Sequence, residues 1–429
     1  MRMPRFHMER TQCLYENDVR WNLSESGVQP LRVEELLGGD FGADALLGQA
    51  LKYPESNGSA LLRERIALFY PGARVENVLV TTGCSEANYT TLWGLLEKSG
   101  RVAVMLPNYL QSWGLARGYG GRVDGYRLIE RHEGSGRRWA LDVESLERAV
   151  TKRTRVVMVT NPNNPTGAVL TEGEMDAIVR AARRVGAWIV SDEVYRGAEL
   201  GSDTPSPTFW GRSPRVIVTG GLSKAFGLPG LRIGWIVAPP KTTERLWGYQ
   251  DYTTLTPTML SDRLARAALE PGRREAILGR TRSILRRQWP PVERWIRSHG
   301  DRLDHIAPVA GAIVLVRYRY PIGSVDLFDR LRLERSVLIT PGAHFGVGRY
   351  IRVGYGYDPE KTLEGLRRVD ELFETLSRRP SGSSRRPPPP PLDRPSEPAR
   401  QSGNRSEHRI DRRGVIPEPK RVTRRTPVV

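Results

Sequence analysis

The sequence is poor in cysteine, poor in lysine and free of long apolar runs, and each shortage excludes something. Two cysteines in 429 residues, Cys13 and Cys84, cannot build a disulfide framework, and no CxxC or Cys/His cluster offers metal ligands. A reducing compartment, the cytoplasm, is the expected setting. No stretch approaches the roughly 18 consecutive apolar residues that a membrane-spanning helix needs, so no membrane partner is expected. The opening residues MRMPRFHMERTQ lack an apolar core segment and are not expected to act as a secretory signal. Of 66 basic residues only seven are lysines. One of those few, Lys224, stands in GLSKAFGLPGLRIGW, a Gly-rich turn just after the apolar run Val216–Val218.

A hydrophobic content of 39% and ten tryptophans supply a real core, and the length suits two domains with extensions. The formal charge of +18 is uneven: residues 377–429 carry fourteen basic and five acidic residues, a difference of +9, which leaves +9 for the first 376. That segment is rich in Pro and Arg and has no periodicity. It cannot bury enough apolar surface to offset its ordering entropy, so a disordered basic tail is expected. The tail has no aromatics to stack on bases, and nucleic acid is not expected as a partner.

From residue 36 to 257, short apolar runs alternate with helix-length amphipathic segments. RVVMVT at 155–160 reads as a strand buried on both faces. Thr171 and Glu174 form a capping box; Met175, Ile178, Val179, Ala182 and Val185 share one helical face; Gly186 is placed to end that helix. AWIVS at 187–191 is the next strand, and VIV at 216–218, LVTT at 79–82 and VAVML at 102–106 add three more. A helix is expected over 86–96. Strand, helix, strand in succession predicts an α/β fold, with a mainly parallel sheet covered by helices on both faces. Past 258 come Arg-rich helices (260–269 and 275–298), short apolar pieces at 312–316, 337–340 and 350–355, and a last helix over 359–376. The expected organisation is an N-terminal arm (1–35) joining the small domain, a large domain (36–257), a smaller α+β domain (258–376) and the tail (377–429).

Ligands of an open parallel sheet bind beyond the carboxyl ends of its strands. The residues that follow the five expected strands form a coherent set: Gly83, Cys84 and Ser85 opening a helix; Tyr109; Asn161 to Gly167; Asp192 with Tyr195; and Lys224. A helix N-terminus favours a phosphate, an aromatic offers a face to stack on, and an amine can trap a carbonyl. Together they suit a flat, phosphorylated, electron-withdrawing aldehyde.

NPNNPTG, SDEVY, LSKAFGLPGLRIGW and YIRVGYG, in that order, resemble the class I/II aminotransferases of the fold-type I pyridoxal-phosphate enzymes. The resemblance covers roughly residues 20–376 and implies pyridoxal 5'-phosphate as cofactor and a sheet of the seven-stranded type. By that resemblance Lys224 is the lysine that bonds the cofactor and moves the proton at the substrate Cα. Asp192 matches the carboxylate that keeps the pyridine nitrogen protonated, and Tyr195 with Asn164 the pair on the ring's phenolic oxygen. Arg232, Gly83, Cys84 and Ser85, with Ser223 beside them, match the phosphate site, and Tyr109 the aromatic stacked on the ring. Arg352 matches the clamp on the substrate α-carboxylate, next to Asn164 and Gly27. Tyr53, in YPESNG, matches a tyrosine that reaches the phosphate of a partner subunit, which implies a homodimer.

Two departures stand out. The family often has a hydroxyl where Gly221 stands, and LSESGVQP leaves either Ser26 or Gly27 to supply the backbone contact from the N-terminal segment. Glu25 and Glu55 could then approach the substrate side chain. A carboxylate there would favour a basic amino acid, although a solvated loop glutamate is the commoner case. The implied activity is transfer of an amino group between an L-amino acid and a 2-oxo acid. The same motifs would serve a lyase or dehydratase acting at Cβ, of the capreomycidine-synthase type. A binding or regulatory protein on the same fold is a further alternative, but only about thirty residues precede the cofactor region, too few for a DNA-binding module.

Overall fold

The structure is a computed structural model describing residues 3–38, 42–96, 100–134 and 136–378. Ser377 and Arg378 belong to the last helix, Pro359–Arg378, and the rest of the expected tail lies outside the described residues.

A short strand, β1 (Trp21–Asn22), precedes the large sheet. That sheet is built from β2 (Val78–Thr81), β3 (Arg101–Leu106), β4 (Arg122–Glu133), β5 (Gly136–Leu141), β6 (Thr154–Thr160), β7 (Trp188–Asp192), β8 (Val216–Gly221) and β9 (Gly234–Val237). Their spatial order is β2-β9-β8-β7-β6-β3-β4-β5. From β8 across to β4 all neighbours are parallel, whereas β9 runs antiparallel to both β2 and β8. The sheet has one strand more than the seven-stranded type. The cause is the length of β4: residues 122–127 pair with β3, and residues 128–133 outrun the sheet and take β5 as an antiparallel partner.

The near-continuous apolar runs do what a doubly covered strand requires. Val78, Val80, Ala103, Met105, Val157, Val159, Val216 and Val218 enter one core, while Leu79, Val102, Val104, Val156, Met158 and Ile217 enter the other. Between β6 and β7 the helix Glu172–Val185 begins at its capping box: Glu174 N–H donates to Thr171 Oγ1 at 3.3 Å, and Thr171 N–H donates to Glu174 Oε2 at 2.9 Å. Gly186 ends it at φ 67°, in the left-handed region. The helix after β2 starts at Cys84, two residues before the expected Glu86, because Gly83 turns the chain directly off the strand and accepts from the Glu86 and Ala87 N–H groups.

A four-stranded antiparallel sheet follows, in the order β10 (Leu303–His305), β11 (Ile313–Tyr318), β14 (Tyr350–Gly354) and β13 (Thr340–Pro341). The apolar piece expected as one strand at 337–340 is split. Its first half, β12 (Val337–Leu338), pairs in parallel with β1, and its second half is β13. The N-terminal arm holds a helix that its pattern did not announce, His7–Tyr15, which buries only Met8 and so shows no apolar stripe. Among the described residues no helix is long and apolar enough to cross a membrane.

Candidate active site

The carboxyl ends of the central strands surround a cavity of about 380 Å³. Lys224, three residues past β8, reaches into it beside Ser223, Asp192, Tyr195, Asn164 and Tyr109. Burial lowers the Lys224 amine from its ordinary value; the charge of Glu25 opposes this and those of Arg352 and Arg232 assist it.

Asp192, the last residue of β7, is buried and well provided with donors. Asn88 Nδ2 donates to its Oδ2 at 2.8 Å, the Val194 N–H to its Oδ1 at 3.1 Å, and the Cys84 thiol lies 3.6 Å from Oδ1. Burial raises its carboxyl from the ordinary value, and those three donors and the Lys224 charge oppose the rise. Asn88, on the helix Cys84–Leu95, is itself oriented, since its Oδ1 accepts from the Thr219 hydroxyl at 2.7 Å. The Tyr195 side chain is 3% exposed, and among the described residues its hydroxyl has no hydrogen-bond partner. Burial pushes that phenol up to about 12, with the Arg352 charge pulling the other way.

One end of the cavity is shaped for an anion. Helix Cys84–Leu95 points its first N–H groups there, with Ser85, Ser223 and Arg232 around it. Arg232 adopts φ 50°, uncommon for a residue with a side chain, and its Nη1 donates to the Pro229 carbonyl at 3.1 Å and lies 3.5 Å from Ser223 Oγ. β9 passes directly beneath the helix start: a Cβ on Gly234 would stand 2.3 Å from the Gly83 carbonyl carbon and 2.4 Å from the Cys84 nitrogen. A Cβ on Gly83 would stand 2.5 Å from Arg232 Nη2. At Gly221, where the family often has a hydroxyl, a Cβ would stand 3.1 Å from the Ile233 carbonyl oxygen, so β9 crowds that position.

The arm adds Glu25 and Ser26 to the lining, and Arg352 of the small sheet does not line the cavity but bonds Asn164, which does. Arg352, on β14, is 1% exposed; its Nη1 donates to Asn164 Oδ1 at 3.0 Å and its Nη2 to Thr340 Oγ1 at 3.1 Å and to the Ser24 carbonyl. Its Nε has no partner among the described residues. The two candidates in the arm take different places. Ser26 lines the cavity, and Gly27 backs onto the lysine, where a Cβ would lie 3.2 Å from Ser223 O and 3.8 Å from Lys224 Cδ.

Of the expected positions outside the lining, Arg352, Gly27 and Gly83 adjoin lining residues, and two others do not. Tyr53 is 82% exposed and lies outside the cavity lining within this chain. Glu55 is the commoner case, a largely solvated loop glutamate: it pairs with Arg63 at 3.3 Å and lines no part of the cavity. Asn161 and Asn163 serve the loop itself, accepting from the Leu170 N–H at 2.9 Å and the Thr166 hydroxyl at 2.7 Å. Sequence reasoning missed Asn88, one helical turn after the phosphate-loop residues. It also missed Glu9, Gln12 and Glu16, whose spacing of three and four residues puts them on one side of the first helix, all lining the cavity. Tyr109 donates its hydroxyl to Glu9 Oε1 at 2.8 Å, so that helix caps the aromatic.

Comparison with known proteins adds family to geometry. A family described as aminotransferase class I and II matches residues 42–369. Capreomycidine synthase of Streptomyces vinaceus is 30% identical over 371 residues, 84% of this chain and 91% of that protein. A solved pyridoxal-phosphate-dependent aminotransferase from Streptococcus suis superposes with a TM-score of 0.80 at 29% identity, covering 89% of this chain and all of the other. A pyridoxal-phosphate-dependent cyclase, OrfR, superposes with a TM-score of 0.77 at 26% identity, covering 87% and 98% of the two chains.

The residues present fit the cofactor on which those enzymes depend. The partnerless Tyr195 hydroxyl, the donor-stabilised carboxylate of Asp192, the amine of Lys224 and the Gly83–Gly234 crossing that holds open an anion cradle each answer one part of pyridoxal 5'-phosphate. A match over most of the chain, reinforced by this fit, makes the chain a member of the class I and II aminotransferase family, whose enzymes work with pyridoxal phosphate.

Proposed function

We propose that this protein moves an amino group between an L-amino acid and a 2-oxo acid, using pyridoxal 5'-phosphate bound in the cavity and bonded to Lys224. The observation that carries the reading is one amine, lowered by burial, sharing a cavity with a buried carboxylate that three donors address. When bound, pyridoxal phosphate supplies a carbonyl that condenses with amines and a ring that draws electron density from the substrate Cα.

The chain's own residues do the rest. A lowered pKa leaves more of the Lys224 amine neutral near pH 7, fit both to attack a carbonyl and to take and return the Cα proton. Asp192 supplies negative charge for the ring nitrogen. Tyr195 and Asn164 would bind the phenolic oxygen, and Tyr109 would offer its ring face. Ser85, the N–H groups opened by Gly83 and Cys84, Ser223 and Arg232 take the phosphate. Arg352 presents a planar fork to the substrate α-carboxylate, with Gly27 behind it. In this reading the large domain, 36–257, carries the cofactor, and the small domain, 258–376, with the arm, 1–35, brings the substrate contacts. Tyr53, exposed within one chain, reaches the site of a second copy in a homodimer. Two free cysteines, one of them exposed, suit a reducing cytoplasm.

Borohydride reduction of the yellow protein followed by peptide mapping should place the cofactor on Lys224. An amino acid alone should then convert the aldehyde absorbance to the pyridoxamine form, and a 2-oxo acid should restore it. The second reading, a lyase or cyclising enzyme acting at Cβ, is favoured by the similarity to capreomycidine synthase and to the cyclase. Ammonia or ketone release with the aldehyde absorbance unchanged would select it over transamination.

A further inference from the structure

The cavity holds more negative charge than the cofactor reading uses. Glu9, Glu16 and Glu25 line the same space as Lys224, with Gln12 between them. Glu9 accepts from Tyr109 and Glu25 accepts from Gln12 Nε2 at 3.1 Å, both neutral donors. Among the described residues no arginine or lysine forms an ion pair with any of the three. The cations near them already have work: Arg232 serves the phosphate, Lys224 the cofactor carbonyl, and Arg352 an α-carboxylate. Burial raises the Glu16 carboxyl from its ordinary value and the charges on Glu25 and Glu9 raise it further, outweighing Gln12 and the Lys224 charge, as expected of like charges gathered together.

A second observation shows that this space is built to receive a ligand. The Tyr195 hydroxyl, on a side chain 3% exposed that lines the same cavity, has no partner among the described residues. That hydroxyl and the three carboxylates line one cavity. We infer that the amino acid taken here carries a cationic side chain, a guanidinium or an ammonium, held by Glu9, Glu16 and Glu25 while Arg352 holds its α-carboxylate. An anionic side chain would meet three carboxylates, and an apolar one would shield them from water without replacing it. The inference rests on the cavity being the cofactor and substrate site.

The test begins with holoenzyme in which borohydride has been shown to fix the cofactor on Lys224. If that fails, the underlying reading falls and this one with it. With that established, L-arginine, L-lysine, L-leucine and L-aspartate are titrated against the cofactor absorbance, and their binding is checked by calorimetry. The cationic pair should bind at least about 10-fold tighter than leucine, with aspartate weakest. Glu16→Gln and Glu25→Gln, which keep the side-chain shape, should each weaken arginine about 10- to 100-fold and leave leucine where it was. Aspartate or leucine binding as well as arginine, or unchanged arginine affinity in both variants while cofactor labelling is intact, would overturn the assignment.

Discussion

Replacing Asn88 with alanine removes a donor from Asp192 and an acceptor from the Thr219 hydroxyl at once. The two losses act on different quantities. A hydrogen bond to a charged group is worth about 1.5–3 kcal/mol, so the ionised form of Asp192 loses roughly that much, or about 10- to 100-fold in kcat/KM. The Thr219 hydroxyl loses its partner whatever the state of Asp192, and that cost appears only as a lower Tm. The pH profile separates the two. Burial already raises the Asp192 carboxyl, and Asn88 is the first of the groups opposing it, so its removal raises the carboxyl further. Because the reaction needs the carboxylate, the acid limb of kcat/KM should move to higher pH, and the deficit should shrink as pH rises. Asn88→Asp, which sets a second carboxylate 2.8 Å away, should be worse than alanine throughout. The assay is kcat/KM against pH alongside Tm and cofactor affinity by absorbance. A profile superimposable on that of the unmodified enzyme, with only Tm lowered, would refute the reasoning.

Two further outcomes follow from features elsewhere in the chain. Burial pushes the Glu174 carboxyl up, but donors from Thr171, Leu141 and Arg138 outweigh it and hold the group below its ordinary value. A depressed carboxylate stabilises above its unfolded pKa, so Glu174→Gln should lower Tm at neutral pH by an amount that fades as pH drops below about 4.3 and through the lowered folded value; a difference independent of pH would contradict this. If Tyr53 completes the site of a second copy, inactive Lys224→Ala and weakened Tyr53→Ala proteins should regain activity when unfolded and refolded together. About a quarter of the sites would then be intact, and no gain on mixing would remove Tyr53 from the site.

The large sheet was legible because its central strands are buried on both faces. RVVMVT and AWIVS have no polar alternation to confuse with anything else, and the ends of such strands carry the ligand-binding residues, so Asp192, Tyr195, Asn164 and Lys224 could be found together. Legibility failed where that constraint was absent. β4 and β5 form a half-exposed ribbon, and β9 hides inside the glycine-rich run after Lys224. The helix His7–Tyr15 buries only Met8, so its cavity-facing glutamates had no apolar stripe to mark them. Asn88 left no mark either, because an asparagine on a helix gives no sign in sequence of which carboxylate it will meet.

The arm and β14 are joined more tightly than their distance in sequence suggests. Gly354 N–H donates to the Leu23 carbonyl at 2.8 Å, Gln29 N–H to the Gly356 carbonyl at 2.8 Å, and a Cβ on Gly354 would lie 1.7 Å from the Glu25 carbonyl oxygen. Glu25, Ser26 and Gly27 therefore ride on the same ribbon as Arg352. If Glu25 and Arg352 hold the two ends of an amino acid as proposed, whatever tilts that ribbon shifts both grips together, and a molecule of the wrong length has no way to satisfy one end at the other's expense.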